Sequence, residues 1–367
     1  MPHSPTFLAS PRSPVVVLAA CALCACLSDP TVIGSDGGTT EGGTHPPGTD
    51  TGVTPGHDGG TGADATHPGT DANGGADVSV PTDSTTGVDA PVYGPDAVVD
   101  GAVGSRCAMS ATSVSCPFQQ LTEMTADANR VVLYELPLGT PPTSGWPVVI
   151  NFQATDLSPV YAFQATTTDI YATFGVYYQA ALTKNLLDAG FAVIAPSALT
   201  FDDSTFWETN ISPYATSWSG TGDDELMQKL FTDIAAGTFG KLDSSSMYAT
   251  GLSSGGYMTS RMALSYPGKF KALAIESGSW ATCLSGAGPS GEGTCTIPSP
   301  LPAMHPPTLL LHGNLDTVII PELTVTEYVN ALTASGIPEK EVDDTNSGHQ
   351  WIPEAPSAVL AWFQTYK

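Results

Sequence analysis

From about Ser105 to the C-terminus, short unbroken apolar runs alternate with longer stretches in which apolar positions recur every three or four residues. Val131–Leu136 (VVLYEL), Pro147–Phe152 (PVVINF) and Phe191–Pro196 (FAVIAP) are of the first kind. A run with no polar face predicts a strand buried on both sides. Phe174–Ala189 is of the second kind, with Tyr178, Leu182 and Leu186 on one stripe and Gly190 as its stop. Another helix opens at Asp223-Asp224-Glu225, where acids suit the positive end of the helix dipole, and its stripe is Leu226, Leu230 and Ile234. Strands are expected at Ala272–Glu276 and Thr308–Leu311, a helix over Glu322–Ser335, a more polar strand at Glu339–Asp344 and a closing helix over Ser357–Tyr366. Strands alternating with helices over short connections predict an α/β class: a doubly wound, mainly parallel sheet with helices on both faces. Sites in such sheets lie beyond the carboxyl ends of the strands.

Before Ser105 this pattern is absent. Arg12 and the apolar stretch Pro14–Cys26 have the form of an export signal, and the stretch is shorter than the roughly 20 residues a spanning helix needs. Leu18-Ala19-Ala20-Cys21 resembles a lipoprotein cleavage box, which makes Cys21 the expected lipid anchor; ordinary cleavage and free secretion is the alternative. Residues 27–104 are mostly Gly, Thr, Asp and Pro, and Thr44-His45-Pro46-Pro47-Gly48-Thr49-Asp50 returns as Thr66-His67-Pro68-Gly69-Thr70-Asp71. Too little apolar surface is present to offset the entropy of ordering, so this stretch is expected to be a solvated tether. The organisation read from the sequence is a signal segment (1–26), a linker (27–104) and a folded domain (105–367).

Charge and cysteines narrow the setting. Of 367 residues, 36 are acidic and 11 basic, a net charge of −25, which argues against nucleic acid and anionic membrane surfaces as partners. Contact with a membrane is expected only through a lipidated N-terminus. Four of the seven cysteines lie in the body: Cys107, Cys116, Cys283 and Cys295. In an exported chain they are expected to form disulfides. Of the three possible pairings, Cys107–Cys116 with Cys283–Cys295 closes the shortest loops. Neither pair has the spacing of zinc ligands, and no metal or cofactor is expected.

The chemistry concentrates at Ser246–Pro267. A short apolar run leads into Gly251-Leu252-Ser253-Ser254-Gly255, and an amphipathic run follows. This is strand, sharp turn, helix, with the G-x-S-x-G pattern placing Ser253 at the tip as a candidate nucleophile. A serine hydroxyl needs a base, and the base needs a carboxylate to hold it. The body holds only three histidines. His305 adjoins Pro306-Pro307, and His312 ends a strand ahead of the best acid. His349, in a loop between the last strand and the last helix with Gly348 allowing a tight turn, is therefore the candidate base. Asp316, in a Gly-Asn turn beyond Thr308–Leu311, is the candidate acid; Asp343, Asp344 and the strand-end Glu276 are its rivals. An oxyanion is expected to be met by the backbone N–H of Ser254 and by one from the loop after Pro147–Phe152, at Gln153 or a neighbour.

Tyr248-Ala249-Thr250-Gly251-Leu252-Ser253-Ser254-Gly255-Gly256, Tyr266-Pro267 with Phe270, and His312-Gly313 with Asp316, Val318 and Pro321 resemble the α/β-hydrolase esterases of the polyhydroxybutyrate depolymerase and feruloyl esterase type. The resemblance covers roughly Val131–Lys367. It implies an α/β-hydrolase fold and a serine esterase acting through an acyl-enzyme, with Ser253, Asp316 and His349 as its triad and polyhydroxyalkanoate-type, feruloyl or acetyl esters as substrates. Two departures stand out. Asn151-Phe152-Gln153 replaces the family's His-Gly, and no separate polymer-binding domain is visible. Trp207 and Trp218, in the loop 201–222, and Trp280 are candidate substrate contacts, with packing of the loops on the core as the alternative. A serine peptidase on the same fold and a non-catalytic surface-binding module are the competing functions.

Overall fold

The computed structural model describes residues 104–201, 203–283 and 296–367. The stretch read as a signal segment, with Cys21, and nearly all of the stretch read as a linker lie outside the described residues, as does Cys295.

The core is an eight-stranded sheet. In chain order its strands and flanking helices are β1 (Gln119–Met124), β2 (Asn129–Glu135), β3 (Trp146–Phe152), α1 (Val176–Asp188), β4 (Ala192–Pro196), α2 (Gly222–Ala236), β5 (Leu242–Leu252), α3 (Ser254–Ser265), β6 (Phe270–Glu276), β7 (Thr308–Gly313), α4 (Val325–Ala334), β8 (Glu339–Asp344) and α5 (Ala355–Thr365). Across the sheet the order is β8-β7-β6-β5-β3-β4-β2-β1. Strands β3 to β8 run parallel, and β2 is antiparallel to both of its neighbours. This is the α/β-hydrolase fold anticipated from the motifs, with β5 near the middle of the sheet.

The unbroken apolar runs are explained by two-sided burial. On β3, Val149 faces one core together with Leu182 and Leu186 of α1 and Val359 and Phe363 of α5. Val148, Ile150 and Phe152 face the other, with Leu226, Leu230 and Ile234 of α2 and Met258 and Met262 of α3. Burying a side chain of this size is worth about 1.5–3 kcal/mol, so each residue of β3 holds a helix layer in place. The stripe read on α2 is the buried one, and Thr221 caps the helix by accepting from Asp224 N–H.

Some boundaries differ from those read in the sequence. The first helix begins at Val176, after a short 3-10 turn at Ala172–Phe174, and the fourth follows a similar turn at Pro321–Leu323. Strand β1 was not foreseen: its side chains are mostly exposed, as an edge strand permits, and QQLTEM has no apolar run to announce it. The Cys107–Cys116 disulfide is present, clasping the hairpin of Ala108–Met109 and Ser113–Ser115. Closing a loop this short contributes roughly 2–3 kcal/mol by restricting the unfolded chain. Cys283 is also disulfide-bonded, and its expected partner Cys295 lies outside the described residues.

Candidate active site

Ser253 stands between β5 and α3 with φ 57° and ψ −120°. A β-carbon in this backbone region costs roughly 1–3 kcal/mol, so the surroundings must hold it there. They do so from both sides: Ser253 N–H donates to Glu276 O at 3.0 Å, and Tyr257 N–H donates to Ser253 O at 3.0 Å. Space is the other requirement. A β-carbon on Gly255 would fall on the carbonyls of Phe152 and Gln153, and one on Gly251 would come within 2.5 Å of Gly255 O. The two glycines of G-x-S-x-G are therefore what let α3 begin against the end of β3. The turn leaves Ser253 partly exposed at the carboxyl edge of the sheet, while the first ten residues of α3 behind it are buried.

Asp316 and His349 come from the connections that follow β7 and β8. Asp316 Oδ2 lies 2.8 Å from His349 Nδ1, and its other oxygen accepts the N–H groups of Val318 at 2.8 Å and Ile319 at 2.9 Å. The Asp316 side chain is fully buried and that of His349 is 10% exposed. Burial alone would raise the Asp316 pKa. The hydrogen bond and charge of His349, with the two N–H groups, outweigh it and hold the acid below its ordinary value. The histidine loop is pinned to the acid loop by Leu315 N–H to Ser347 O and Asn314 N–H to Asp344 O, each 2.9 Å. The glycine this approach requires is Gly313, where a β-carbon would collide with the carbonyls of Ser347 and Gly348. Gly348, read as the enabling residue, has its nearest such contact at an ordinary 3.7 Å.

Among the described residues, neither Ser253 Oγ nor His349 Nε2 makes a hydrogen bond. The hydroxyl and the ring nitrogen on the side away from Asp316 are thus both unengaged, and hydrogen bonds of this kind are often long in a substrate-free site. The other two histidines are occupied elsewhere. His305 Nε2 lies 2.8 Å from Tyr328 Oη in the core, and His312 Nε2 lies 2.8 Å from Glu341.

Ser254 is the first residue of α3, where a backbone N–H has no acceptor within the helix. Gln153 follows β3 directly and is buried beside the elbow; its carbonyl accepts from Trp207 Nε1 at 2.8 Å and its amide donates to Leu157 O. The three tryptophans read as substrate contacts are packed into the protein. Trp207, Trp280 and Trp218 are 0%, 1% and 6% exposed. Trp207 meets Phe152 edge-on, Trp280 stacks on His305, and Trp218 lies under the Arg261 guanidinium. Of the two readings of these residues, loop packing is the one their contacts match.

Two buried features beside the site have environments that the sequence does not show. Glu276 is fully buried at the end of β6, and its carboxyl oxygens make no well-formed hydrogen bond. Burial, with the nearby charges of Asp316 and Glu354, holds its pKa well above the ordinary value, and a weak contact with Ile352 N–H offsets only part of this. Arg261 of α3, also buried, donates to Thr209 O, Ala215 O and Ala281 O at 2.7, 3.0 and 3.1 Å and so ties two loops above the sheet to the nucleophile's helix. A buried arginine is not separable by type from a surface one in a sequence.

No family model matches the chain. It is similar to poly(3-hydroxyoctanoate) depolymerase from Pseudomonas fluorescens, with 42% identity over 262 residues, 71% of this chain and 89% of that protein. Feruloyl esterase B from Thermothelomyces thermophilus is 32% identical over 186 residues, 49% of this chain and 55% of that one. Among solved structures, acetyl xylan esterase from Aspergillus awamori aligns at 19% identity with a TM-score of 0.46, covering 68% of this chain and 99% of that chain.

Proposed function

The chain belongs to the family of poly(3-hydroxyoctanoate) depolymerase and is a carboxylic ester hydrolase, and from that premise we propose that it cleaves aliphatic polyesters through an acyl-enzyme on Ser253. Ser253 Oγ attacks the ester carbonyl while His349 Nε2 takes its proton. The oxyanion that forms is met by the N–H of Ser254 and by a second donor at or near Gln153. Collapse of the tetrahedral intermediate breaks the carbon–oxygen bond, and His349 returns the proton to the leaving hydroxyl. Water then repeats the sequence on the acyl-enzyme, releasing a carboxylic acid and restoring Ser253. Asp316 keeps the Nδ1 proton in place and stabilises the imidazolium.

The observation that carries this reading is the pairing of a strained serine elbow with a buried Asp316–His349 hydrogen bond on connections from the same edge of the sheet. The substrate class is that of the Pseudomonas fluorescens relative; feruloyl esters are the other candidate on the strength of the shorter match to feruloyl esterase B, and acetyl esters on the family resemblance of the motifs. The Cys107–Cys116 disulfide supports an exported protein. Attachment through Cys21 is the form of export proposed.

Purified protein is expected to hydrolyse p-nitrophenyl butyrate and to clear a poly(3-hydroxyoctanoate) latex. Ser253→Ala should reduce both rates by about 10⁴-fold or more. A Ser253→Ala variant that keeps wild-type rates would remove Ser253 from the mechanism.

A further inference from the structure

Cleaving a solid polyester requires the catalytic domain to bring its own active edge against the polymer surface. Among the described residues eight large apolar side chains are exposed, and four of them follow parallel strands of the sheet. Ile170 is 84% exposed and follows β3; Phe201, 56% exposed, follows β4; Leu315 and Val318, 61% and 38% exposed, follow β7. All four lie between the carboxyl end of a parallel strand and the helix that follows it, on the side of the sheet at which Ser253 stands.

The distribution of cations points the same way. The connections 153–175, 197–221, 314–324 and 345–354 contain no lysine or arginine. Exposed lysines sit instead where strands begin: Lys241 just ahead of β5, Lys269 and Lys271 at the start of β6, and Lys340 at the start of β8. The active edge thus offers apolar side chains and scattered acids, and the opposite edge carries the positive charge. An anionic surface would be repelled by such an edge, whereas an uncharged apolar one would not. A carboxylate product would also be driven away once released.

We propose that the carboxyl edge of the sheet is an adsorption surface, on which Ile170, Phe201, Leu315 and Val318 seat the domain on a solid, uncharged aliphatic polyester with Ser253 facing it. This deepens the function proposed above and rests on it. Adsorption replaces water at exposed apolar groups, so it strengthens or holds steady as salt rises, unlike binding through ion pairs.

The test uses the full chain carrying Ser253→Ala, so that the polymer is not consumed, and measures the protein that sediments with poly(3-hydroxyoctanoate) latex at low and at molar NaCl. Adding Ile170→Ser, Phe201→Ser, Leu315→Ser and Val318→Ser should weaken adsorption about tenfold or more, given the apolar area removed. Leu138→Ser with Met304→Ser, exposed apolar positions between β2 and β3 and beside Gly268 ahead of β6, should leave it unchanged. Adsorption that survives the four substitutions, falls equally with the two controls, or is abolished by salt overturns the surface. In the active enzyme, Ile170→Ser with Phe201→Ser should slow latex clearing while sparing p-nitrophenyl butyrate hydrolysis. Normal hydrolysis of the soluble ester without adsorption by the parent protein overturns the surface alone. Failure on the soluble ester would instead remove the esterase mechanism beneath it.

Discussion

Asp316 and Glu276 occupy matching places, one just beyond β7 and the other at the end of its neighbour β6, and both are buried. Burial pushes both toward the neutral acid, yet their pKa values move in opposite directions. Asp316 is held below the ordinary range because three donors converge on it: the His349 ring and the N–H groups of Val318 and Ile319. Glu276 has no comparable set of donors and faces the charge of Asp316, so it is raised well above the ordinary range. Burial does not decide whether a carboxyl group is charged; the count of donors does. Two ionised carboxylates at this edge would repel each other. The upward shift of Glu276 and the 2.8 Å contact of Asp316 with His349 make Asp316 the better counter-charge of the two.

The largest effect that could break this comparison is Asp316→Asn. An amide at this position cannot stabilise the imidazolium and favours the wrong tautomer, so kcat for p-nitrophenyl butyrate should fall by about 10³–10⁴-fold. If the variant keeps more than about a tenth of wild-type kcat, a far smaller loss than removing the counter-charge entails, then Glu276 is the carboxylate that serves His349, and the two roles are reversed. A smaller effect is expected from Glu276→Gln, which puts a neutral amide of the same shape where burial already favours the neutral acid. Its kcat/KM near pH 7 should stay within about threefold of wild type, or less than about 0.7 kcal/mol. A loss of a hundredfold would mean that Glu276 works as an anion.

How much of this arrangement could be read from the chain depends on the distance over which each feature is determined. The elbow at Ser253 is local: a strand, two glycines and a helix within one short stretch. Asp316 and His349 were reached by chain order and by elimination among three body histidines, and their hydrogen bond joins residues 33 positions apart. The two-sided burial of β3 was legible because a run such as PVVINF has no polar face. What stayed hidden depends on contacts between distant segments. Trp207, Trp218 and Trp280 lie in loops, where a sequence cannot show whether a ring turns inward or outward. Gly348 was credited with a turn whose steric demand falls on Gly313, because the collision is with another loop. Glu276 reads as a strand-end acid, but the upward shift of its pKa is set by burial and by neighbours beyond β7 and ahead of α5.

The smallest effect is a difference in how stability depends on pH, and the two acids make contributions of opposite sign. The folded-state pKa of Asp316 is depressed. Its contribution is present above the unfolded value, near 3.9, and is lost as pH falls through the folded value. The folded-state pKa of Glu276 is raised. Its contribution is present in full below the unfolded value, near 4.3, and is lost as pH rises toward the folded value, because the unfolded chain releases a proton that the folded protein keeps. One proton corresponds to a slope of about 1.4 kcal/mol per pH unit. In a domain of this size that is about 2–4 °C in Tm for each kcal/mol. Glu276→Gln removes this term and leaves that of Asp316 in place. Between pH 5 and 8 the Tm of wild type should therefore fall relative to that of Glu276→Gln, while below pH 4 both should lose stability together. Thermal unfolding at half-unit steps of pH measures the difference directly. Parallel curves from pH 5 to 8 would mean that Glu276 is already ionised in the folded protein, and the contrast with Asp316 would be lost.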